Sequence, residues 1–208
     1  MNTLFPDPTW EEIFQKYQGY NLVEEYYYDD IFDKHSYRYE FDFNLGENVV
    51  KLCINDLTTT NRAGGDSHKV SHLRDRYLQV RFEYINEPKF NFSLYEKNFF
   101  LSFFDKILFK NISLKSTALE SRFSLESNKR KVAKKLIPSL LFMNNIENIS
   151  WVKNDVIDFK TAKTYLVVSV NNWIRHTEAI EKLIEGSSHL FKSTINAEKQ
   201  IYYQKYKK

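Results

Sequence analysis

The clearest pattern in the chain is an alternation of apolar and polar residues near its N-terminus. Between positions 36 and 43 an aromatic residue occupies every second position, which is typical of a strand with one buried face. A turn follows at 44–48 and the alternation resumes over 49–57, so these segments predict a hairpin. Residues 77–84 predict a third strand, and Pro88 ends it.

Apolar residues at helical spacing mark a second group of elements. Thr9 and Glu12 form a capping box before such a stripe, which predicts a helix that ends near Gly19. Residues 128–146 also predict a helical segment. Pro138 suits the first turn of a helix there, where its missing N–H removes no hydrogen bond.

The C-terminal part of the chain predicts two strands and a helix. The strands cover 149–152 and 164–170, on either side of a polar turn. The helix covers 177–191. The basic and aromatic residues 201–208 are expected to fray, as chain ends commonly do.

Two segments interrupt these elements. Residues 58–76 are polar, contain Gly64 and Gly65, and predict a long mobile loop. Residues 90–109 fit both the strand pattern and the helix pattern, and we predict a helix over 93–108.

The order of the elements predicts the fold class. Runs of strands are separated from runs of helices, which favours an α+β fold over a doubly wound one. We predict a single domain over residues 1–208, with an antiparallel sheet of about five strands packed by helices. The composition agrees, because 42% apolar and 27% charged residues exclude disordered and collagen-like chains.

Several features bear on location. The chain has no run of about 18 apolar residues, so no transmembrane segment is expected. Its first residues lack the basic and apolar regions of a secretory signal. Cys53 is the one cysteine in the sequence, which excludes an internal disulfide and a cysteine-rich zinc site. Together these features favour a cytoplasmic protein.

Charge is distributed unevenly along the chain. Residues 1–48 carry 11 acidic and 3 basic side chains, a net charge of −8. Since the whole chain has a net charge of +3, the remaining residues carry +11. The two parts either neutralise each other within one fold or face different partners.

One polar cluster has the spacing of a metal site. Asp66, His68, His72 and Asp75 place two imidazoles four residues apart, so on a helix both would reach the same Zn²⁺ or Mn²⁺ ion. The alternative is a flexible surface loop, because the embedded glutamate of the zinc-protease motif is absent.

The densest group of basic residues lies at 129–135. On a helix, Arg130, Lys131, Lys134 and Lys135 share one face and apolar residues share the other. This face fits a phosphate, nucleic-acid or anionic-lipid surface, and it also fits an ordinary solvated helix face.

Tyrosines are concentrated near the acidic N-terminal region. Tyr26, Tyr27 and Tyr28 fit either the core or a protein-contact surface, where tyrosine is enriched. Stacking on bases is disfavoured, because the acidic surroundings repel phosphate.

A spaced motif lies within residues 119–143. Its members are Phe123, Ser127, Asn128, Ala133, Lys134, Leu136, Ile137 and Pro138. These intervals resemble the signature of the bacterial domain-of-unknown-function family numbered 3137. Asn128 and Lys134 replace an acidic residue and an arginine of that signature, and Pro138 comes one place early. The resemblance implies an α+β domain and no particular reaction.

These observations favour a non-enzymatic protein-interaction module. No base, nucleophile and orienting residue can be grouped from the five histidines of the sequence, and no cofactor is expected. Binding would use the tyrosine-rich acidic N-terminal region or the helix predicted at 129–135, which we call the basic helix. The alternatives are a metal-dependent hydrolase or nuclease that uses the Asp66 cluster, and a binder of anionic surfaces through the basic helix.

Overall fold

The computed structural model describes most of the chain. It covers residues 8–29, 34–62, 70–84, 90–97, 112–114, 117–146, 148–158, 163–171 and 174–206.

The described residues form one antiparallel sheet of eight strands. The strands are β1 (Tyr20–Asp29), β2 (Lys34–Leu45), β3 (Asn48–Arg62), β4 (Val70–Glu83), β5 (Phe92–Glu96), β6 (Phe123–Ser127), β7 (Ile149–Asp158) and β8 (Lys163–Asn171). Their order across the sheet is β1-β2-β3-β4-β8-β7-β5-β6.

Helices precede, interrupt and follow these strands. They are α1 (Pro8–Lys16), α2 (Thr117–Arg122), α3 (Arg130–Ala133), α4 (Ile137–Leu140) and α5 (Thr177–Tyr206), with 3₁₀ turns at Lys134–Leu136 and Leu141–Asn145. The predicted α+β class is confirmed. Pro138 lies in the first turn of α4, as predicted.

The prediction of about five strands is wrong, because β1, β5 and β6 were not counted among the predicted strands of the sheet. β1 lies at an edge of the sheet and mixes aromatic and acidic residues without alternation. β5 and β6 have only five residues each, too few for a periodic pattern to stand out.

The predicted hairpin is confirmed, and its turn includes Gly46 with φ of 65°. The predicted loop over 58–76 has the wrong bounds. β3 continues to Arg62 and β4 begins at Val70, in unbroken register from Val50↔Phe82 to Arg62↔Val70. Backbone hydrogen bonds continue both strands beyond their apolar residues, so the hydropathy pattern did not reveal the full length of β3 and β4. Residues 63–69 lie outside the described residues.

Two helix predictions also need correction. The segment 93–108 begins as strand β5, and residues 98–108 lie outside the described part of the chain. The end of the chain was expected to fray from residue 201, yet α5 continues to Tyr206.

The hydrophobic core lies between one face of the sheet and helices α1 and α5. Phe41 of β2 meets Trp10 of α1 edge to face, with ring centroids 6.5 Å apart. Phe82 of β4 stacks on Phe191 of α5 at 4.8 Å. Side chains alternate along a strand, so the intervening residues form the opposite face of the sheet.

The two residues of the predicted capping box link α1 to the start of α5. The helix begins at Pro8, one residue before the predicted cap. The Thr9 hydroxyl donates to the carbonyl oxygen of Arg175 at 3.0 Å. The Thr177 hydroxyl donates to the Glu12 carboxylate at 2.6 Å.

Candidate functional site

The sheet face opposite α1 and α5 carries most of the charged side chains of the central strands, and we call it the polar face. Its central residues are Arg38, Glu40, Lys51, Cys53, Asn55, Tyr77, Gln79, Arg81, Tyr165 and Ser169. In β2 this face was predicted from the alternation of Arg38, Glu40 and Asp42 with aromatic residues.

Glu40 is the buried centre of an ion-pair network on the polar face. It is 6% exposed and accepts hydrogen bonds from Arg38 Nε at 3.0 Å and from Lys51 Nζ at 3.1 Å. Lys51 also lies 3.3 Å from the carboxylate of Asp42. Burial by itself would raise the pKa of Glu40, but the two basic partners hold the pKa below its ordinary value. Glu40 and Asp42 are therefore committed to Arg38 and Lys51.

Arg81 lies beside this network and is bound differently. Its Nε and Nη2 donate to the amide oxygen of Gln79 at 2.9 and 2.6 Å. Its direct neighbour on β3 is Lys51, another cation. Among the described side chains no carboxylate lies within ion-pair distance of Arg81. Arg81 is thus held in place by a neutral group.

The polar face is concave. A cavity of about 520 Å³ is lined by Tyr27 of β1, by Arg38 and Arg81, and by Val156 of β7 and Tyr165 of β8. β1 and β7 are separated by four strands in the sheet, so they line one cavity only because the sheet curls around it.

Cys53 lies on the polar face but is not a reactive thiol. The residue is 1% exposed, and burial raises the pKa of the thiol. A thiol nucleophile needs a lowered pKa and solvent access, and Cys53 has neither.

The three consecutive tyrosines lie on β1 and are exposed, at 64% for Tyr26, 61% for Tyr27 and 49% for Tyr28. The hydroxyl of Tyr26 is 2.8 Å from Nδ1 of His35, and the rings of Tyr28 and His35 are 4.6 Å apart. Tyr27 lies on the other face and lines the cavity. The three tyrosines are therefore surface residues.

The two edges of the sheet differ. β6 has five residues, and its Leu125 carbonyl accepts a hydrogen bond at 3.0 Å from the Ile112 N–H. β1 has ten residues, and no described strand other than β2 pairs with it. Its register with β2 is regular from Val23 to Asp29, beyond an irregularity near Asn21.

The basic helix has the two faces that were predicted. Arg130, Lys131, Lys134 and Lys135 are exposed, whereas Ala133 and Leu136 are buried. Lys135 donates to the side-chain oxygen of Gln200 on α5. The helix is broken into α3, a 3₁₀ turn and α4, and this does not change which residues face solvent.

The predicted metal ligands lie mostly outside the described residues. Asp66 and His68 are outside them, and for His72 and Asp75 only the backbone is described. That backbone is strand β4, whereas the spacing of the two histidines required a helix. Among the side chains that are described, no three His, Cys, Asp or Glu residues form a group that could hold a metal ion.

A buried carboxylic acid was missed by the sequence analysis. Glu198 of α5 is 5% exposed, and one of its carboxyl oxygens has no hydrogen-bond partner. Burial raises its pKa to about 7, and the nearby Tyr84 hydroxyl offsets part of that rise. Leu190, Thr194 and Glu198 are four residues apart and therefore share one face of α5. Because Leu190 is apolar, this spacing indicates that Glu198 lies on the buried face of the helix.

Comparison with known proteins identified no similar protein. No protein family, curated protein or solved structure matches the chain. The resemblance of residues 119–143 to family 3137 therefore stays a prediction. No helix in the described part of the chain is both long and apolar enough to cross a membrane.

Proposed function

We propose that the protein is a non-enzymatic binding module that accepts an extended segment of a partner protein along the outer edge of β1. The observation that carries the proposal is the edge itself. It is ten residues long, and no described strand pairs with its outer side. Backbone N–H and C=O groups at such an edge can pair with an incoming strand.

The residues of β1 favour such an addition. Natural edge strands are commonly protected by lysine, proline or bulges, and residues 23–29 have no lysine, arginine, proline or register shift. Three exposed tyrosines line this stretch, and tyrosine supplies contact area at a small cost in conformational entropy.

Charge selects the chemistry of the partner. Glu24 and Glu25 lie in the middle of β1, and residues 1–48 have a net charge of −8. A basic strand-forming segment is attracted to this edge, whereas the β1 edge of a second copy is repelled. The proposed occupant is therefore a basic extended segment of another protein.

A short acetylated peptide of alternating lysine and valine tests the proposal. We expect saturable binding in calorimetry, with slower hydrogen exchange of the amides of β1. The matched control is the same peptide with alternate amides N-methylated, which keeps the side chains and removes the hydrogen bonds of one edge. It should bind at least about tenfold more weakly. Equal binding of both peptides, or unchanged exchange in β1, would contradict the proposal.

A second candidate function is binding to an anionic surface through the basic helix. It is favoured by the exposure of Arg130, Lys131, Lys134 and Lys135 on one face, with apolar residues on the other. Such a patch binds through its charge, so the attraction falls as salt rises.

A further inference from the structure

We propose that the concave polar face is a binding site for a small organic anion, with Arg81 as the residue that pairs with the acidic group. This site lies on the face of the sheet, shares the side chains of Glu25 and Tyr27 with the edge strand β1, and does not depend on the partner proposed there.

The charges of the polar face leave Arg81 without an acidic partner. Glu40 is shared by Arg38 and Lys51, and Asp42 is in contact with Lys51. Glu25, which also lines the cavity, lies 3.6 Å from Arg38. Each described carboxylate of this network is thus taken by another cation. None of these carboxylates lies within ion-pair distance of Arg81, so an acidic ligand would pair with Arg81 without displacing any of them.

The guanidinium of Arg81 also has donors to spare. A guanidinium has five N–H groups, and Gln79 engages Nε and Nη2 of Arg81. No described partner is bonded to Nη1. Gln79 is itself 7% exposed and its amide nitrogen lies 3.5 Å from the Ser169 hydroxyl, so the side chain that holds Arg81 is anchored. Arg81 is therefore positioned before any ligand arrives, which lowers the entropic cost of binding.

The walls of the cavity suit an apolar or aromatic body attached to the acidic group. Tyr77 and Tyr165 offer aromatic rings, and Val156 and Ile157 of β7 offer apolar surface. The volume of about 520 Å³ lies within the range of small-molecule sites, which are mostly apolar with a few placed polar groups. A compact aromatic carboxylate, sulfonate or phosphate has both of the required parts.

Two fluorescent probes separate the acidic group from the aromatic body. The first is 1-anilinonaphthalene-8-sulfonate, and the second is N-phenyl-1-naphthylamine, which has the same rings without the sulfonate. In the wild-type protein we expect the sulfonate probe to bind more tightly than the neutral probe. Its affinity should fall with added salt, and the affinity of the neutral probe should not. Equal affinity, or no effect of salt, would overturn the proposal without the use of any variant.

Variants then locate the cation. Arg81→Gln should weaken binding of the sulfonate probe by about tenfold or more and leave binding of the neutral probe unchanged. Arg81→Lys keeps the charge but loses the two hydrogen bonds to Gln79, so it should weaken binding of the sulfonate probe less than Arg81→Gln does. Lys192→Gln is the matched control, since it removes an exposed cation of α5 that lies outside the cavity. Full binding in folded Arg81→Gln, or an equal loss of binding in Lys192→Gln, would place the anion elsewhere and refute the proposal.

Discussion

The phenolic hydroxyl of Tyr84 donates a hydrogen bond to the backbone carbonyl of Asn154. Tyr84 directly follows β4, and Asn154 lies in an irregular stretch of β7. Asn154 lies where the register of β7 with β8 shifts, between Lys153 and Val156. Its fully buried side chain accepts from the Phe92 N–H at 2.8 Å and donates to the Phe90 carbonyl at 2.6 Å. This pair therefore connects the long strands of the sheet to β5.

Replacement of Asn154 tests how much this connection stabilises the fold. Asn154→Ala leaves the N–H of Phe92 and the carbonyl of Phe90 buried without their partner. We expect the free energy of unfolding in urea to fall by roughly 2–4 kcal/mol. Asn145→Ala, at an exposed position, is the control and should change it by less than about 0.5 kcal/mol. Similar effects of both variants would show that the Asn154 amide is not a structural link.

The buried carboxyl of Glu198 makes stability depend on pH. Its pKa in the folded protein is about 7, above the value of 4.5 for the unfolded chain, so the folded state binds the proton more tightly. The contribution of this group is fully present below pH 4.5 and is lost as pH rises to about 7. From this difference in pKa the loss is roughly 3 kcal/mol.

Urea unfolding at pH 5 and pH 8 measures this effect. Glu198→Gln should remove most of the loss and make the protein more stable than wild type at pH 8. Glu185→Gln changes an exposed residue of the same helix and should retain the wild-type pH dependence. If Glu198→Gln and wild type show the same pH dependence, Glu198 is not the titrating group.

The ion-pair network of Glu40 predicts the opposite pH dependence. Because its folded-state pKa is lowered, the contribution of Glu40 is present above its ordinary pKa of 4.5 and is lost as pH falls through the folded-state pKa. Glu40→Gln leaves Arg38 and Lys51 without their shared carboxylate and should lower the free energy of unfolding at pH 7 by roughly 2–4 kcal/mol. Glu47→Gln, in the exposed turn, is the control. A stability of Glu40→Gln equal to that of wild type would show that the network is not stabilising.

The basic helix predicts binding to heparin that weakens with salt. Charge reversal at Arg130, Lys131, Lys134 and Lys135 should lower the salt concentration needed for elution. Reversal of the exposed Lys182 and Lys192 of α5 changes the charge at other positions and is the control. Elution that depends only on the number of reversed charges would argue against a specific patch.

Metal analysis of the purified protein tests the alternative of a metal-dependent hydrolase or nuclease. A non-enzymatic module is expected to contain no stoichiometric Zn²⁺ or Mn²⁺. One equivalent of either ion in the wild type, lost in His68→Ala, would instead favour the hydrolase or nuclease that was predicted from Asp66, His68, His72 and Asp75.

The candidate sites differ in how far the sequence could predict them. The two faces of the basic helix follow from a spacing of 3.6 residues per turn, so its exposed cations were predicted correctly. The cavity was not predicted, because Tyr27, Arg81 and Val156 are far apart in the sequence and meet only when the sheet curls. The tyrosines of β1 were predicted as either core or surface, and the edge position of β1 decided between these alternatives.

Periodicity alone determined the α+β class, the hairpin of β2 and β3, the amphipathic basic helix and the core face of β2, because each depends on neighbours within a few residues. The tertiary structure decided that the sheet has eight strands, that β1 lies at its edge and that Arg81 has no carboxylate partner among the described residues. These features depend on which strands lie side by side. Strand order is set by packing between distant segments, and a local pattern of residues carries no information about it.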